Sequence, residues 1–424
     1  MKKNKRQAAA LHKLQDRLAA KLGRYASTAR GSVKQKHLAV IIQVRRKNCL
    51  KHMAALHRHL HRHGFKPKRR LPLIGAVLAH VTPGMIRKLC KHKLVSRIYD
   101  NYRVRTCMNI AGPAVGSGAA LRSGLTGKGI GIAIVDTGIY KHPDLVKPKN
   151  RIVAFKDFIA GRRQPYDDNG HGTHVAGSAA GNGFVSKGLY KGCAPEARLI
   201  GVKVLDAKGS GTVSDVVAGI NWTVNQRKRL GIRVMNLSLG TGVIKRCRDD
   251  LICQAASQAV RRGISVVAAA GNSGPQRNTV ISPAISPSVI AVGAANDRRT
   301  VTQRDDRIAP FSSRGSARLR KPDLNAPGVN IISLRAPAAE ATPQLPVKFR
   351  RFYTTMTGTS MATPIVSGAI AQLLQRRPRL KPRQIKTLLQ RNAFRLPGFS
   401  PAAQGSGELN IRFTAARRRR QVNP

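Results

Sequence analysis

Ser360 stands in Gly358-Thr359-Ser360-Met361-Ala362-Thr363-Pro364, between a glycine turn and an apolar run, Ala362 to Leu374, that reads as a buried helix. A hydroxyl so placed lies at a helix N-terminus, where free backbone N–H groups and the helix dipole favour developing negative charge. Such a serine is either a nucleophile or the cap of the helix it begins. The choice turns on whether other segments supply a base, an orienting acid and an oxyanion donor.

Three segments carry candidates. Asp136 ends the apolar run Ile132 to Val135 and precedes Gly138, so it either orients a base from the carboxyl end of a strand or shapes the turn. His171 opens a helix of small residues in Asn169-Gly170-His171-Gly172-Thr173-His174-Val175-Ala176-Gly177, and the glycines beside it let backbone and substrate approach the ring. His171 and His174 share a helical face, as zinc ligands do. Such zinc sites carry a glutamate beside the first histidine and a further ligand downstream, whereas the only glutamates here are Glu196, Glu340 and Glu408. No metal site is therefore read, and His174 is taken as structural. Asn272 follows the buried run Val266 to Ala270 and offers a side-chain amide in the crevice, although Asn-Ser-Gly alone is also an ordinary turn.

The elements that must position these residues alternate from Gly131 onward. Strands are expected at Ile132–Val135, 151–155, 199–205, 234–239, 265–270, 289–292 and 329–334. Helices are expected from His171, over 212–228, over 249–261, at Ser360 and over 382–392. The fold class is thus α/β, a parallel sheet flanked by helices on both faces, with function at the carboxyl ends of its strands. Upstream, strands at 38–44, 71–81 and 95–104 alternate with helices at 48–63 and 82–92. That order suggests a small ferredoxin-like α+β domain with a short or missing final strand. The expected organisation is a basic arm (1–36, with a helix over 8–22), the small domain (37–106), a linker (107–129), the large domain (130–412) and a basic tail (413–424).

With 424 residues, 42% of them hydrophobic, the chain has enough apolar surface for a large core and is not a disordered sequence. Its 77 Lys and Arg against 18 Asp and Glu give a net charge of +59, spread over every segment, which implies nonspecific attraction to polyanions more than one dedicated nucleic-acid stripe. The basic start is followed by no apolar core, so no signal peptide is read, and no run is long enough to span a bilayer. Cytoplasmic placement with reduced thiols is the expectation, an acidic exterior the alternative that suits the charge. Cys247 and Cys253 are the one pair near enough in sequence to bridge in an oxidising compartment.

Taken together, the segments around Asp136, His171 and Ser360 make the chain resemble the subtilisin-like serine peptidases (subtilases, family S8). Asp136-Thr137-Gly138-Ile139-Tyr140 and Tyr166-Asp167-Asp168-Asn169-Gly170-His171 most resemble the AprX-type peptidases of bacilli. The resemblance implies a serine endopeptidase with a subtilisin-like fold acting on proteins or peptides through an acyl-enzyme, with no catalytic cofactor. Ser360 would be the nucleophile, His171 the base and Asp136 its partner. Asn272 and the Ser360 N–H would form the oxyanion hole. It further implies that Gly209, Ser210, Gly211 and Ser238, Leu239, Gly240 pair with extended substrate. Leu239, Ala269, Ala270 and Gly271 would line an S1 pocket without a carboxylate, favouring apolar or aromatic P1 residues. Residues 37–106 resemble the family's inhibitor I9-like propeptide, removed by a cut between 105 and 120. A structural calcium is implied at Asp144, but the loop Gly181 to Lys191 differs in length and has no acid, which argues against the ion. Nine of the twelve histidines lie in residues 12–92, so acidification would charge chiefly the propeptide. An esterase would place its serine in Gly-x-Ser-x-Gly, which Ser360 does not occupy.

Overall fold

Residues 14, 18, 19, 22, 37–45, 48–101, 103–106 (backbone), 115–244, 246–298, 300, 302–343 and 345–415 are described by the structure, a computed structural model. Most of the expected arm and its helix, the first part of the linker and the tail from residue 416 lie outside the described residues. The chain divides into two compact units, Met1–Arg103 with Thr212–Asn221, and Val104–Gly211 with Trp222–Pro424.

In the smaller unit, strands β1 (Leu38–Val44), β2 (Pro67–Leu71), β3 (Ala76–Val81) and β4 (Val95–Asp100) form an antiparallel sheet in the order β2-β3-β1-β4. Helices α1 (Cys49–Arg62) and α2 (Pro83–Lys91) bury Met53, Leu56, Leu60, Met85, Ile86 and Leu89 against Val40, Ile42, Val77, Ala79 and Ile98. Thr82 caps α2, its hydroxyl accepting from Met85 N at 3.3 Å ahead of Pro83. The single strand expected over 71–81 is instead a hairpin. Pro72 has no ladder donor and Gly75 takes a left-handed φ of 59°, so the chain reverses between β2 and β3. That reversal supplies the strand the expected order lacked. The strand expected to run from 95 to 104 stops at Asp100, and the next strand, β5 (Arg103–Thr106), belongs to another sheet.

The larger unit holds an eight-stranded sheet built on β6 (Gly131–Asp136), β7 (Ile152–Asp157) and β8 (Arg198–Lys203). After β9 (Ser210–Thr212) come β10 (Ile232–Leu237), β11 (Leu239–Gly240), β12 (Ser265–Ala269), β13 (Ile290–Asn296), β14 (Arg307–Ile308) and β15 (Leu324–Pro327), followed by a separate hairpin, β16 (Ile331–Leu334) and β17 (Tyr353–Met356). The order β14-β13-β12-β10-β6-β8-β7, with β15 on β13, is parallel except at the edge strand β14. Every residue of β6 is buried, as expected of a parallel strand covered on both faces. Because later strands add on either side of β6, its carboxyl end is the topological switch point, where α/β sheets open a crevice.

The covering helices include α3 (His171–Ala180), α5 (Leu251–Arg261), α6 (Thr359–Arg376) and α7 (Pro382–Arg391), whereas α4 (Val213–Gln226) is divided between the two units at Asn221. Sixteen consecutive residues of α6, Thr359 to Leu374, are buried, so it runs through the core, packed against α3 and the central strands. The second part of the stretch read as a linker is structured: it forms a short helix, Ser117–Arg122, and buries Ala120 and Leu125 in the same core. Cys247 and Cys253 are joined in a disulfide at the start of α5, which replaces the expectation of reduced thiols there, while Cys49 and Cys193 are free. Among the described residues no helix is long and apolar enough to cross a membrane.

Candidate active site

Asp136 is the last residue of β6 and fully buried. Its Oδ1 accepts the Thr137 N–H at 2.7 Å and meets His171 Nδ1 at 2.7 Å. Since the carboxylate only accepts, the Nδ1 proton lies on that bond, so in the neutral ring Nε2 is the nitrogen with the lone pair. His171 is the first residue of α3, also fully buried, and two glycines bring it there. Gly170 holds φ at 100°, and a Cβ on Gly172 would fall 2.2 Å from the Gly138 carbonyl oxygen. The first turn of α3 can therefore lie directly on the turn that follows Asp136.

The residue that locks this contact was not singled out in the sequence. Asp167, 5% exposed, accepts from Thr137 Oγ1 (2.9 Å), Asn169 N (3.2 Å) and Gly170 N (2.8 Å) on Oδ1, and from Thr173 N (2.8 Å) and Oγ1 (2.7 Å) on Oδ2. Gly172 N in turn donates to Thr137 Oγ1 at 2.9 Å. One carboxylate thus caps α3 and ties it to the residue after Asp136. The only local signal was an acid four residues before His171. Lys203, opposite Asp136 in the register of β6 and β8, is fully buried and donates to Asp168 Oδ1 (2.6 Å), Leu205 O (2.8 Å) and Thr137 O.

His174 lies one turn further along α3, completely buried, with Nε2 2.9 Å from the Ile331 carbonyl. Burial pushes its pKa down to about 3, the Ile331 bond opposing, so it is a neutral donor to that carbonyl. Its Nε2 is committed to backbone, consistent with a structural role.

Ser360 is the second residue of α6 and fully buried. Its Oγ donates to the Ser238 carbonyl at 3.1 Å, and Ser238 Oγ donates back to the Ser360 carbonyl at 2.7 Å. The second bond has a cause in the sequence. Pro364 cannot supply the helical N–H that would reach Ser360 O, and the Ser238 hydroxyl satisfies that carbonyl instead. Ser238 is oriented by Asn236 Nδ2 (2.9 Å), whose amide oxygen receives Ser367 Oγ (2.9 Å), so a buried polar chain fixes the start of α6 to β10.

Asn272 follows β12 by three residues. Its Oδ1 accepts from Thr359 N (3.0 Å) and Thr359 Oγ1 (2.9 Å). Both donors face the oxygen, which assigns the amide orientation and leaves the Nδ2 hydrogens for another acceptor beside the Ser360 turn. Leu239, Ala269, Ala270 and Gly271 are all buried, and the Gly271 N–H donates to Thr359 Oγ1 at 3.2 Å. Of the expected substrate-pairing residues, Ser210 and Gly211 lie in β9, Leu239 and Gly240 form β11, and Gly209 and Ser238 immediately precede them. Both strands share a sheet with β5, in the order β11-β5-β9, and Leu239 stands opposite Thr106 and Gly240 opposite Arg105, antiparallel. Among the described residues no three His, Cys, Asp or Glu side chains converge to hold a metal ion.

Comparison with known proteins identifies the family. The family model described as "Subtilase family" (Peptidase S8) matches residues 127–415. Serine protease AprX of Bacillus subtilis (strain 168) is 42% identical over 356 residues, 81% of this chain and 80% of that protein. Subtilisin Savinase of Lederbergia lenta is 38% identical over 293 residues, 69% of this chain and 93% of that protein. Among solved structures, sphericase superposes with a TM-score of 0.55 at 32% identity, covering 68% of this chain and 92% of its own. With a carboxylate, an imidazole and a serine held at strand and helix ends in a matching core, the chain belongs to the subtilase family of serine peptidases.

Proposed function

We propose that the chain is a serine endopeptidase made as a self-inhibited precursor. The observation that carries this reading is the 2.7 Å Asp136–His171 bond on a helix packed against the one that Ser360 begins. In the reaction, Ser360 Oγ attacks the peptide carbonyl while His171 Nε2 takes its proton. His171 then returns the proton to the leaving amine, giving an acyl-enzyme that water hydrolyses by the same route. Asp136 keeps the imidazole in the right tautomer and supports its charge. The Asn272 amide and the Ser360 N–H receive the oxyanion.

Substrate would add as a strand between 209–211 and 238–240, and a pocket of Leu239, Ala269, Ala270 and Gly271 without a carboxylate favours apolar or aromatic P1 side chains. The chain's own β5 supports the precursor reading, because it occupies that strand position. Self-processing would fall within the 105–120 interval. The disulfide and the +59 charge support an oxidising, acidic exterior over the cytoplasm, and the charge also supports nonspecific polyanion adsorption.

The test compares the full chain with Ser360→Ala, using peptides with Phe or Leu against Lys or Arg at P1 and N-terminal sequencing of the products. Wild type should cut the apolar series and mature to a new terminus within 105–120, while Ser360→Ala stays full length and inert. Processing or hydrolysis that survives in Ser360→Ala overturns the reading.

A further inference from the structure

Asp144, in the short helix Pro143–Val146, is a fully buried carboxylate, and Arg151, 8% exposed, is the buried cation nearest it in sequence. A calcium site at Asp144 would need several oxygen lone pairs turned toward one point. Here those oxygens are already taken. Asp144 Oδ1 accepts the Val185 N–H at 2.9 Å and Oδ2 accepts the Tyr353 hydroxyl at 2.8 Å. The Asp144 carbonyl receives Asn182 N at 3.2 Å and the Arg151 guanidinium, which also donates to the carbonyl of Ala180, the last residue of α3. Asn182 Nδ2 reaches the Lys147 carbonyl at 2.6 Å, and His142 closes the other side, its Nδ1 accepting the Asp144 N–H at 3.1 Å. Between Gly181 and Lys191 there is no acid. The residues do not fit a divalent cation, and an ion placed among them would face a guanidinium.

We propose that Arg151 is the resident cation of this site: it pins the loop Gly181 to Lys191 and the C-terminal end of the His171 helix, so that the fold needs no calcium there. The chemistry is suited to the place. The Ala180 carbonyl is one of the acceptors a helix leaves without an intrahelical partner, at the negative end of its dipole, and a planar fork can serve it and a second carbonyl at once. Although burial lowers the Arg151 pKa to about 10, with Asp144 and Glu196 opposing, the group stays charged at any pH the chain meets in use. Tyr353 closes the carboxylate from β17, joining that hairpin to the same knot.

The test is thermal unfolding of the full chain in excess EDTA and in millimolar calcium, alongside Arg151→Leu, Arg151→Lys and Tyr353→Phe. Wild type should melt within about 1 °C in the two buffers, a gap that corresponds to well under one tethering interaction. Arg151→Leu should melt lower by about 4–20 °C, the size expected for leaving two buried carbonyls without their donor, with Arg151→Lys between. If Arg151→Leu does not fold, Tyr353→Phe and the wild-type buffer comparison still decide. Limited proteolysis should then cut Tyr353→Phe faster within 181–191, in EDTA and in calcium alike. A wild-type melting point that rises several degrees with calcium, or an Arg151→Leu chain that melts like wild type, overturns the proposal.

Discussion

At its N-terminus the helix carrying His171 meets a carboxylate, and at its C-terminus a guanidinium. Asp167 takes five donors from the turn after Asp136 and the first turn of α3, whereas Arg151 takes two carbonyls at the far end. Each charge has the sign the helix dipole favours. The difference lies in what each anchor touches. Asp167 reaches Thr137, the neighbour of Asp136, so it fixes the distance between acid and base. The Arg151 guanidinium bonds only the backbone carbonyls of Ala180 and Asp144, so it fixes where the helix ends. Damage at the first end should appear in catalysis, and damage at the second in stability.

The largest effect should come from neither end. Asn272→Ala removes a donor that acts only on developing charge, and kcat should fall about 10²- to 10³-fold with KM little changed, the loss known for this kind of donor in subtilisin itself. Steady-state kinetics of the matured enzyme would show it. Asp167→Ala should follow, lowering kcat about 10²-fold through misplacement of His171 and costing about 2–4 kcal/mol of stability through stranded N–H groups. Asp167→Asn, which keeps one acceptor oxygen, should recover part of each. Arg151→Leu should leave the kcat of the folded, matured enzyme within about threefold of wild type, since no reacting group is near it. An Arg151→Leu enzyme with Asp167-like kinetics would break the distinction between the two ends.

The smallest effect is a pH slope. His174 titrates near 3 in the fold and about 6.5 unfolded, so between those values the unfolded chain binds a proton that the native chain refuses. Its contribution is complete above pH 6.5 and is lost as pH falls toward 3, by at most about 1.4 kcal/mol per pH unit. Glu408 slopes the other way. Burial first, then Asp306, raises its pKa, so its native proton favours the fold at low pH and that advantage is lost as pH rises above the usual carboxylate range. Denaturant unfolding of His174→Gln across this range should show a flatter acid limb, with the slope above about pH 6.5 unchanged.

How far the sequence reached follows from how local each signal was. Asp136, His171, Asn272 and Ser360 sit in short glycine-bearing motifs, and the sheet announces itself through fully apolar strands such as β6. Asp167 lay inside one of those motifs, yet its meaning depends on Thr137, thirty positions away and invisible to spacing. Arg151 carried no signal at all, being one of 77 basic residues until Ala180 and Asp144 are brought to it. Strands β14, β15 and β17 are two to four residues long, too short for alternation to register, and the β2–β3 hairpin hid because Pro72 and Gly75 interrupt what reads as one apolar run. The Ser238–Ser360 exchange follows from Pro364, a residue whose missing donor is legible but whose substitute is not.

The central claim is that Ser360 is a nucleophile activated by His171, and covalent labelling tests it most directly. After maturation, wild type should react with a serine-directed fluorophosphonate and carry the adduct on the peptide containing Ser360, while Ser360→Ala takes no label and His171→Ala labels at a small fraction of the wild-type rate. A matured wild type that stays unlabelled, or an adduct that persists in Ser360→Ala, would contradict the account.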